Sequence, residues 1–424
     1  MAWEKGTSSA RENTPLLPNQ LKSEPLSSSS KSFGNILIAI VGAGVLGLPY
    51  TFMKTGWLAG IIILGIVAGL TYYCMMLLVW TKRKLEKEGF VKIGSFGDVG
   101  FIVSGPIGKG MVDSMIVLSQ AGFCVSYFIF VANTLSSLFF RNEENEHYLY
   151  GSKILGLEAS KLFIWAVLPF QLGLNAIRTL THLAPFSIFA DVVEILAMVV
   201  LMIEDVVTYV RNMPYLEAFT NFSIIPYGVG VAVYAFEGIG MVLPLETVTD
   251  QKHRFGGILG LALIFITAVY GAFGLLGYLA FGSETKDIIT LNFGKNLLTD
   301  LVQVALSINL FFSLPLMMNP VHEIVESRLN GGQYSFPLRA LSVSLTSLVA
   351  FFVPNFSDFL SLVGSSVCSV LGFVLPAIFH LLACRRDCSL VQICVDILII
   401  FFGVVFGVAG TISSVKQIFF ADVV

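Results

Sequence analysis

Charged residues are scarce in this sequence. Asp, Glu, Lys and Arg make up 12% of the 424 residues, whereas a soluble domain typically carries about 25%. Hydrophobic residues make up 55%, and several apolar runs exceed the roughly 18 to 20 residues that cross a hydrocarbon core as a helix. A chain of this composition needs a lipid bilayer around it and is not a soluble enzyme.

Dense basic clusters and catalytic motifs are also missing. The formal net charge is -3, and no Lys/Arg block is long enough to follow a phosphate backbone, which excludes nucleic acid as a partner. The sequence contains no HExxH, no GxSxG and no evident nucleophile-base set, so we expect neither enzymatic activity nor a cofactor.

Cysteine is rare and unpaired. The six cysteines lie mostly in or beside apolar runs without a CxxC pair, so we expect small buried side chains, no disulfide and no metal site. Cys384 and Cys388 flank Arg385 and Arg386. At a membrane face, this pair could instead carry a lipid.

Apolar segments dominate the chain after a polar start. Residues 1–31 are rich in Ser and Pro and read as a disordered tail, with no signal peptide. About eleven apolar segments follow, which predicts an all-α membrane protein with about 11 transmembrane helices. Their approximate bounds are 33–53, 57–80, 111–139, 160–177, 186–209, 224–245, 257–281, 298–325, 336–353, 358–383 and 393–419.

The distribution of basic residues predicts the orientation. With the tail in the cytosol and alternating spans, 17 of the 25 Lys and Arg residues fall on the cytosolic side and 8 on the other, as the positive-inside rule requires. The acidic loop at 141–159 and two N-x-S sequons, at Asn221 and Asn355, fall on the opposite side. We therefore expect a cytosolic N-terminus and a luminal C-terminus.

Two spans carry helix-breaking residues in their middles. Gly42 to Pro49 in span one and Glu237 to Pro244 in span six each combine a G-x-G with an apolar stretch and a proline. Broken backbone survives at membrane depth only where it lines a cavity. Spans one and six are equivalent in two consecutive sets of five, so the pattern predicts an inverted 5+5 repeat with a midplane site.

Close helix packing is the alternative explanation of these glycines, because small residues mark contacts between membrane helices. Packing alone does not explain why the two motifs match at equivalent positions. It also leaves Glu237, inside the second break, without a role.

A broken helix can hold an amino acid zwitterion. Free N–H groups around Gly44, Val45 and Leu46 would bind the carboxylate, and carbonyl groups near Ala43, Tyr234 and Phe236 would bind the ammonium. Polar side chains of spans three and eight are further candidates for the pocket, although such groups often bond only to the backbone. The predicted substrate-binding set is Gly42, Ala43, Gly44, Val45, Leu46, Tyr234, Phe236, Glu237, Gly238, Ser119, Gln120 and Asn309, with Ser307 and Ser313 beside them.

Ionisable residues within spans are costly and therefore functional candidates. Glu237 is the first candidate for proton coupling, and Asp191 and Glu194, three residues apart on one face of span five, are the next. A carboxyl group in apolar surroundings can exchange protons near neutral pH. Glu237 could instead only fix the unwound backbone, and Asp113 is expected at the interface. The five histidines all fall in loops or near span ends, which argues against a histidine relay.

The stretches GAGVLGLPYTFMKTGW at 42–57 and VYAFEGIGMVLPLE at 233–246 resemble the amino acid/auxin permease family. Within it, the chain looks most like plant vacuolar members of the proton-coupled group, from about residue 32 to the C-terminus. The resemblance implies eleven helices, an amino acid-polyamine-organocation core like that of LeuT, and proton-linked transport of neutral amino acids. By this resemblance, the first helix break of the family corresponds to Gly42, Gly44 and Gly47 here. The second corresponds to Phe236, Glu237 and Gly238. Some relatives have a histidine near the first break, which this chain lacks.

The tail contains a motif similar to acidic dileucine sorting signals, with Glu12, Leu16 and Leu17 as its key residues. Together with the family resemblance, it predicts a vacuolar (tonoplast) or lysosome-like membrane, with adaptor proteins as candidate partners of the tail.

We therefore divide the chain into a disordered cytosolic tail (1–31), a ten-helix transport core (32–383), and an eleventh helix with a luminal C-terminus (384–424). The predicted function is symport of neutral amino acids with protons from an acidic lumen to the cytosol, by rocking of the two repeats. A sodium-coupled carrier and an amino acid sensor are the alternatives. A channel would require a continuous polar stripe, which is not evident.

Overall fold

The fold is helical almost throughout. The computed structural model describes residues 27–90, 93–140, 153–154, 157–178, 184–294, 296–353, 355–385 and 388–420. Its α-helices are α1 (Ser29–Ile40), α2 (Leu48–Thr55), α3 (Trp57–Lys87), α4 (Phe96–Phe140), α5 (Ala159–Asn175), α6 (Ala184–Asn212), α7 (Ile225–Ala235), α8 (Ile239–Val248), α9 (Phe255–Phe281), α10 (Leu297–Leu329), α11 (Phe336–Phe352), α12 (Phe356–Val363), α13 (Leu375–Cys384) and α14 (Leu390–Phe420). Helix α4 is kinked at Gly105, whose φ is 65°. Two short antiparallel strands, β1 (Lys153–Ile154) and β2 (Leu157–Glu158), precede α5.

Each predicted apolar segment coincides with helix, but the count of eleven spans is not confirmed. In the described part of the chain, seven helices or helix pairs are long and apolar enough to cross a membrane, or eight if the bent pair α1–α2 counts as one span. Helices α5 and α11 have only 17 residues each, and α6 carries four carboxyl groups along its length. Short length explains why α5 and α11 fall outside the set.

Span one is interrupted where its glycines predicted a break. Helix α1 ends at Ile40, Gly42 is fully extended, and a tight 3₁₀ turn over Ala43–Gly47 leads into α2. The axes before and after the break differ by 52°.

Span six is interrupted at the equivalent place. Helix α7 ends at Ala235 and α8 begins at Ile239, so Phe236, Glu237 and Gly238 lie outside regular helix. Pro244 lies inside α8, one turn beyond the break.

Span ten is a continuous helix whose middle is π-helical. Between α12 and α13, residues Gly364–Cys368 and Val370–Val374 form π-helical turns, a distortion that often occurs at functional sites. A Cβ on Gly364 would overlap the carbonyl oxygen of Gly230 in α7. The backbones of α7 and span ten are therefore in direct contact.

The first helix begins inside the segment assigned to the tail. Ser27 forms a bridge with Thr249, just after α8, and its N–H donates to the carbonyl of Val248 (2.8 Å). The hydroxyls of Ser32 and Thr249 are 3.0 Å apart. The start of α1 is thus fixed against the end of α8.

Candidate functional site

The two helix breaks lie against each other. A Cβ on Gly44 would lie 2.8 Å from the Cα of Ala235 and 2.9 Å from the ring of Tyr234. From the other side, a Cβ on Gly238 would lie 2.9 Å from a side-chain carbon of Ile40. Only glycine allows this approach at Gly44, because the obstructing atoms include backbone. Close packing therefore explains the glycine at position 44, and this packing brings the two breaks together. That the breaks form a substrate site stays a prediction.

Aromatic side chains surround the contact between the breaks. The Tyr270 hydroxyl of α9 donates to the Ile40 carbonyl (3.3 Å), and its ring centroid lies 5.4 Å from that of Phe236. On the α7 side, the Tyr234 hydroxyl is 2.6 Å from that of Ser126 in α4. Both tyrosine rings are buried. Their hydroxyls therefore form hydrogen bonds with polar groups that would have no partner in lipid.

Some of the backbone groups predicted to bind the substrate already form hydrogen bonds within the chain. The Val45 N–H donates to the Gly42 carbonyl (3.2 Å), and the Tyr234 carbonyl accepts from the Glu237 N–H (3.2 Å). Val45 and Leu46 are 0% and 1% exposed. In this conformation the first break is closed, and a substrate would need the two breaks to separate.

Glu237 lies at a small cavity beside the second break. Thr71 of α3 and Cys368 and Gly372 of span ten line the same cavity. The carboxylate accepts a hydrogen bond from the Ile239 N–H (3.3 Å), at the first residue of α8. A negative group is favourable at this helix end. The second carboxylate oxygen faces Gly372, 3.7 Å from where a Cβ would be, so it is in ordinary contact with this part of span ten.

A second polar group lies between spans five and eight. The Asn309 amide donates to Glu194 (3.2 Å), and the Ser313 hydroxyl donates to Asn309 (3.0 Å). Glu194 and Asn309 are both buried. The structure thus joins a predicted proton-coupling residue to a predicted substrate-binding residue.

The other predicted residues are less tightly connected. The Ser119 hydroxyl donates to the Ile116 carbonyl (3.1 Å) and so satisfies its own helix, while Gln120 is half-buried. Asp113 is itself buried and pairs with Arg328 (2.8 Å), whose side chain is 53% exposed. Its place at the membrane interface stays a prediction. The side chain of Asp191 and the sorting motif at Glu12, Leu16 and Leu17 lie outside the described residues.

Sequence reasoning missed a buried ion pair at the ends of α3 and α8. Lys82 donates to Glu246 (2.8 Å) and to Thr247 (2.8 Å), and Arg83 donates to the other oxygen of Glu246 (3.1 Å). Lys82 and Glu246 are each 2% exposed. Glu246 closes the second family-like motif, but nothing in the sequence indicates its distant partners.

Asp205 of α6 was missed as well. It is 0% exposed, and among the described residues neither carboxylate oxygen has a hydrogen-bond partner. A second missed cluster, formed by His380, Cys384 and Cys388, lies at the end of α13.

Comparisons with known proteins agree on one family. Over residues 26–416 the sequence matches the family described as "Transmembrane amino acid transporter protein". It is 56% identical to "Amino acid transporter AVT3A" of Arabidopsis thaliana over 409 residues, covering 96% of this chain and 93% of that protein. It is 29% identical to "Vacuolar amino acid transporter 3" of Saccharomyces cerevisiae, covering 93% of this chain and 57% of that protein.

The fold is similar to that of a solved transporter. Mhp1, a nucleobase-cation-symport-1 family transporter in a closed conformation with bromovinylhydantoin bound, superposes with a TM-score of 0.54 at 16% identity, covering 93% of each chain. This likeness supports the predicted LeuT-like architecture.

Proposed function

The chain belongs to the transmembrane amino acid transporter family, and from this we propose that it carries neutral amino acids with protons across the vacuolar membrane, from the acidic lumen to the cytosol. The observation that carries the proposal is the meeting of the two helix breaks, where Gly44 lies against Ala235. Such a junction is the usual substrate position in transporters built from inverted repeats.

The substrate we propose is the zwitterion shared by all amino acids. Backbone N–H groups around Gly44 suit its carboxylate, and carbonyl groups near Phe236 suit its ammonium. The aromatic rings of Tyr234, Phe236 and Tyr270 favour an apolar side chain. Among the described residues that line the cavity beside the second break, Glu237 is the one carboxylate, and none is Lys, Arg or His, which favours neutral over charged substrates.

Glu237 is our candidate for the coupling proton. Its carboxylate lies at the start of α8 and beside the cavity, so gain or loss of its charge acts directly on the broken helix. The pair of Glu194 and Asn309 is the second candidate. Each unit of pH difference contributes about 1.4 kcal/mol per proton, so a lumen two units more acidic than the cytosol would support about hundredfold accumulation.

Lys82, Arg83 and Glu246 form our proposed cytosolic gate. The three side chains join the end of α3 to the end of α8, on the face to which the basic residues assign the cytosol. Movement of α8 away from α3 would break these contacts. The vacuolar location rests on the yeast relative, described as a vacuolar amino acid transporter. A cytosolic N-terminus and a luminal C-terminus remain predictions.

The test is uptake of labelled neutral amino acids into proteoliposomes that contain the purified full-length chain, with and without an imposed pH gradient. We expect the gradient to drive accumulation by wild type. We expect Glu237→Gln to lose this accumulation but to keep exchange of internal for external substrate, because exchange requires no net proton movement.

Glu323→Gln is the matched control. Glu323 lies in α10 and accepts a hydrogen bond from Asn319 (2.7 Å), so the same change is made at a carboxylate away from the breaks. Proton-driven accumulation by Glu237→Gln would move coupling to Glu194. Uptake that requires sodium, tested against choline, would replace the proton with sodium. Binding without flux at any gradient would reject transport in favour of sensing.

A further inference from the structure

Three metal-binding side chains meet where α13 ends. One ligand atom from each of His380, Cys384 and Cys388 lies within 4.8 Å of the others. His380 and Cys384 are one helical turn apart and therefore share a face. The Cys388 N–H donates to the Cys384 carbonyl (3.0 Å), which brings the second thiol back toward the first.

Asp396 of α14 fixes the histidine. Its carboxylate is 2.6 Å from Nδ1 of His380, and the residue is 0% exposed. Its other oxygen, Oδ1, has no hydrogen-bond partner among the described residues. Histidines that bind metal are usually oriented by a carboxylate in this manner.

We propose that His380, Cys384 and Cys388 bind one zinc ion, with Asp396 as the positioning residue and water in the fourth position. Two thiolates and an imidazole suit zinc and disfavour magnesium and calcium, which prefer oxygen. Zinc also neutralises the two thiolates, so the loaded site carries no net charge from its ligands.

The observed spacing needs little adjustment. Zn–S bonds of about 2.3 Å and a Zn–N bond of about 2.0 Å place neighbouring tetrahedral ligands about 3.5 to 3.8 Å apart. Contraction of the cluster by about 1 Å would complete the site. This proposal reverses the expectation of no metal site, which rested on the absence of a CxxC pair.

The zinc site would link two helices. Its ligands come from the end of α13 and the residues after it, and Asp396 comes from α14. Zinc would thereby fasten the last helix to the predicted ten-helix core. It lies apart from the helix breaks, so this inference does not depend on the proposed transport function.

The experiment measures zinc in the purified full-length chain. The protein in detergent is equilibrated with zinc sulfate, freed of unbound metal by gel filtration, and analysed by mass spectrometry for zinc per chain. We expect about one zinc in wild type and in Cys394→Ser, whose thiol is exposed on α14. We expect almost none in the double variant Cys384→Ser/Cys388→Ser, and about 10- to 100-fold weaker binding in Asp396→Asn.

Cobalt gives a measurement that needs no variant. Cobalt(II) held by thiolates in a tetrahedral site absorbs visible light strongly, so titration of metal-free wild type should produce a coloured complex that zinc displaces. Wild type that binds neither metal would overturn the proposal, as would equal zinc in the double serine variant. Intact mass showing both thiols blocked by lipid would overturn it too.

Discussion

The Tyr270 hydroxyl donates a hydrogen bond to the carbonyl oxygen of Ile40, 3.3 Å away, where α1 ends. The last carbonyls of a helix have no donor within the helix, and in lipid no water replaces one. A side chain from α9 therefore stabilises the break in span one. The same ring packs on Phe236, so one residue contacts both breaks.

Removal of this hydroxyl should impair transport while leaving the ring in place. A single hydrogen bond contributes about 0.5 to 1.5 kcal/mol, so we expect Tyr270→Phe to slow uptake between a few-fold and about tenfold. Tyr278→Phe is the control, because it removes a hydroxyl from the same helix that accepts from the Glu217 N–H (3.0 Å), away from the breaks. Equal uptake by both variants would show that the Ile40 contact has no part in transport.

A methyl group at Gly44 should block the approach of the two breaks. The added carbon would lie 2.8 Å from the Cα of Ala235, and backbone atoms cannot yield as a flexible side chain does. We expect Gly44→Ala to reduce initial uptake rates at least about tenfold, a loss of about 1.4 kcal/mol. Gly34→Ala in the same span is the control, since its Cβ meets nothing within 4 Å. Normal uptake by Gly44→Ala would contradict the close packing of the breaks.

Loss of one partner from the buried ion pair should destabilise the protein strongly. Glu246→Gln leaves Lys82, which is 2% exposed, with only the exposed carboxylate of Glu86 at 3.9 Å as a counter-charge, at an expected cost of about 3 to 5 kcal/mol. Asp113→Asn, which opens the partly exposed pair with Arg328, should cost less than about 1 kcal/mol. The comparison is made on melting temperatures in detergent.

Removal of both charges of that ion pair provides a second check. We expect Lys82→Met/Glu246→Leu to melt above Glu246→Gln, because no unpaired buried charge remains. If the double variant melts at or below the single one, the penalty does not come from the unpaired lysine.

Neutralisation of Asp205 should stabilise the fold. A buried carboxylate without a hydrogen-bond partner is costly, and Asn keeps its shape without the charge. We therefore expect Asp205→Asn to melt at a higher temperature than wild type, while Glu204→Gln at the neighbouring, half-buried position changes little. A lower melting temperature would indicate a binding partner for the Asp205 carboxylate, and simultaneous loss of uptake would make it a coupling candidate.

Local features of the fold were predictable from sequence because their causes are local. Glycine and proline weaken helices, and at Gly42 and Gly238 their sequence pattern marked both breaks. Apolar runs likewise predicted the helices. The number of spans was harder to predict. Helix α6 is long enough to cross the membrane but carries several carboxyl groups. Whether such a helix crosses the membrane depends on which residues shield those groups from lipid.

Tertiary partners were not predictable because no local pattern encodes them. Tyr270 and Ile40 are separated by 230 residues, and Lys82 and Glu246 by 164. Among the candidate site residues, Glu194 and Asn309 do meet, while the Ser119 hydroxyl is bonded to its own helix. Burial alone could not separate these cases, since all three residues are buried.

The contact of Gly230 with Gly364 constrains how the protein can move. Because backbone lies directly on backbone at this point, and the Tyr227 hydroxyl also donates to Asp358 (2.9 Å), sliding of α7 along span ten would break close contacts. Helix α8, beyond the break, is joined to α7 by three non-helical residues. We therefore expect α8 to move more easily than α7, and a change of charge at Glu237 would act on the segment that joins them.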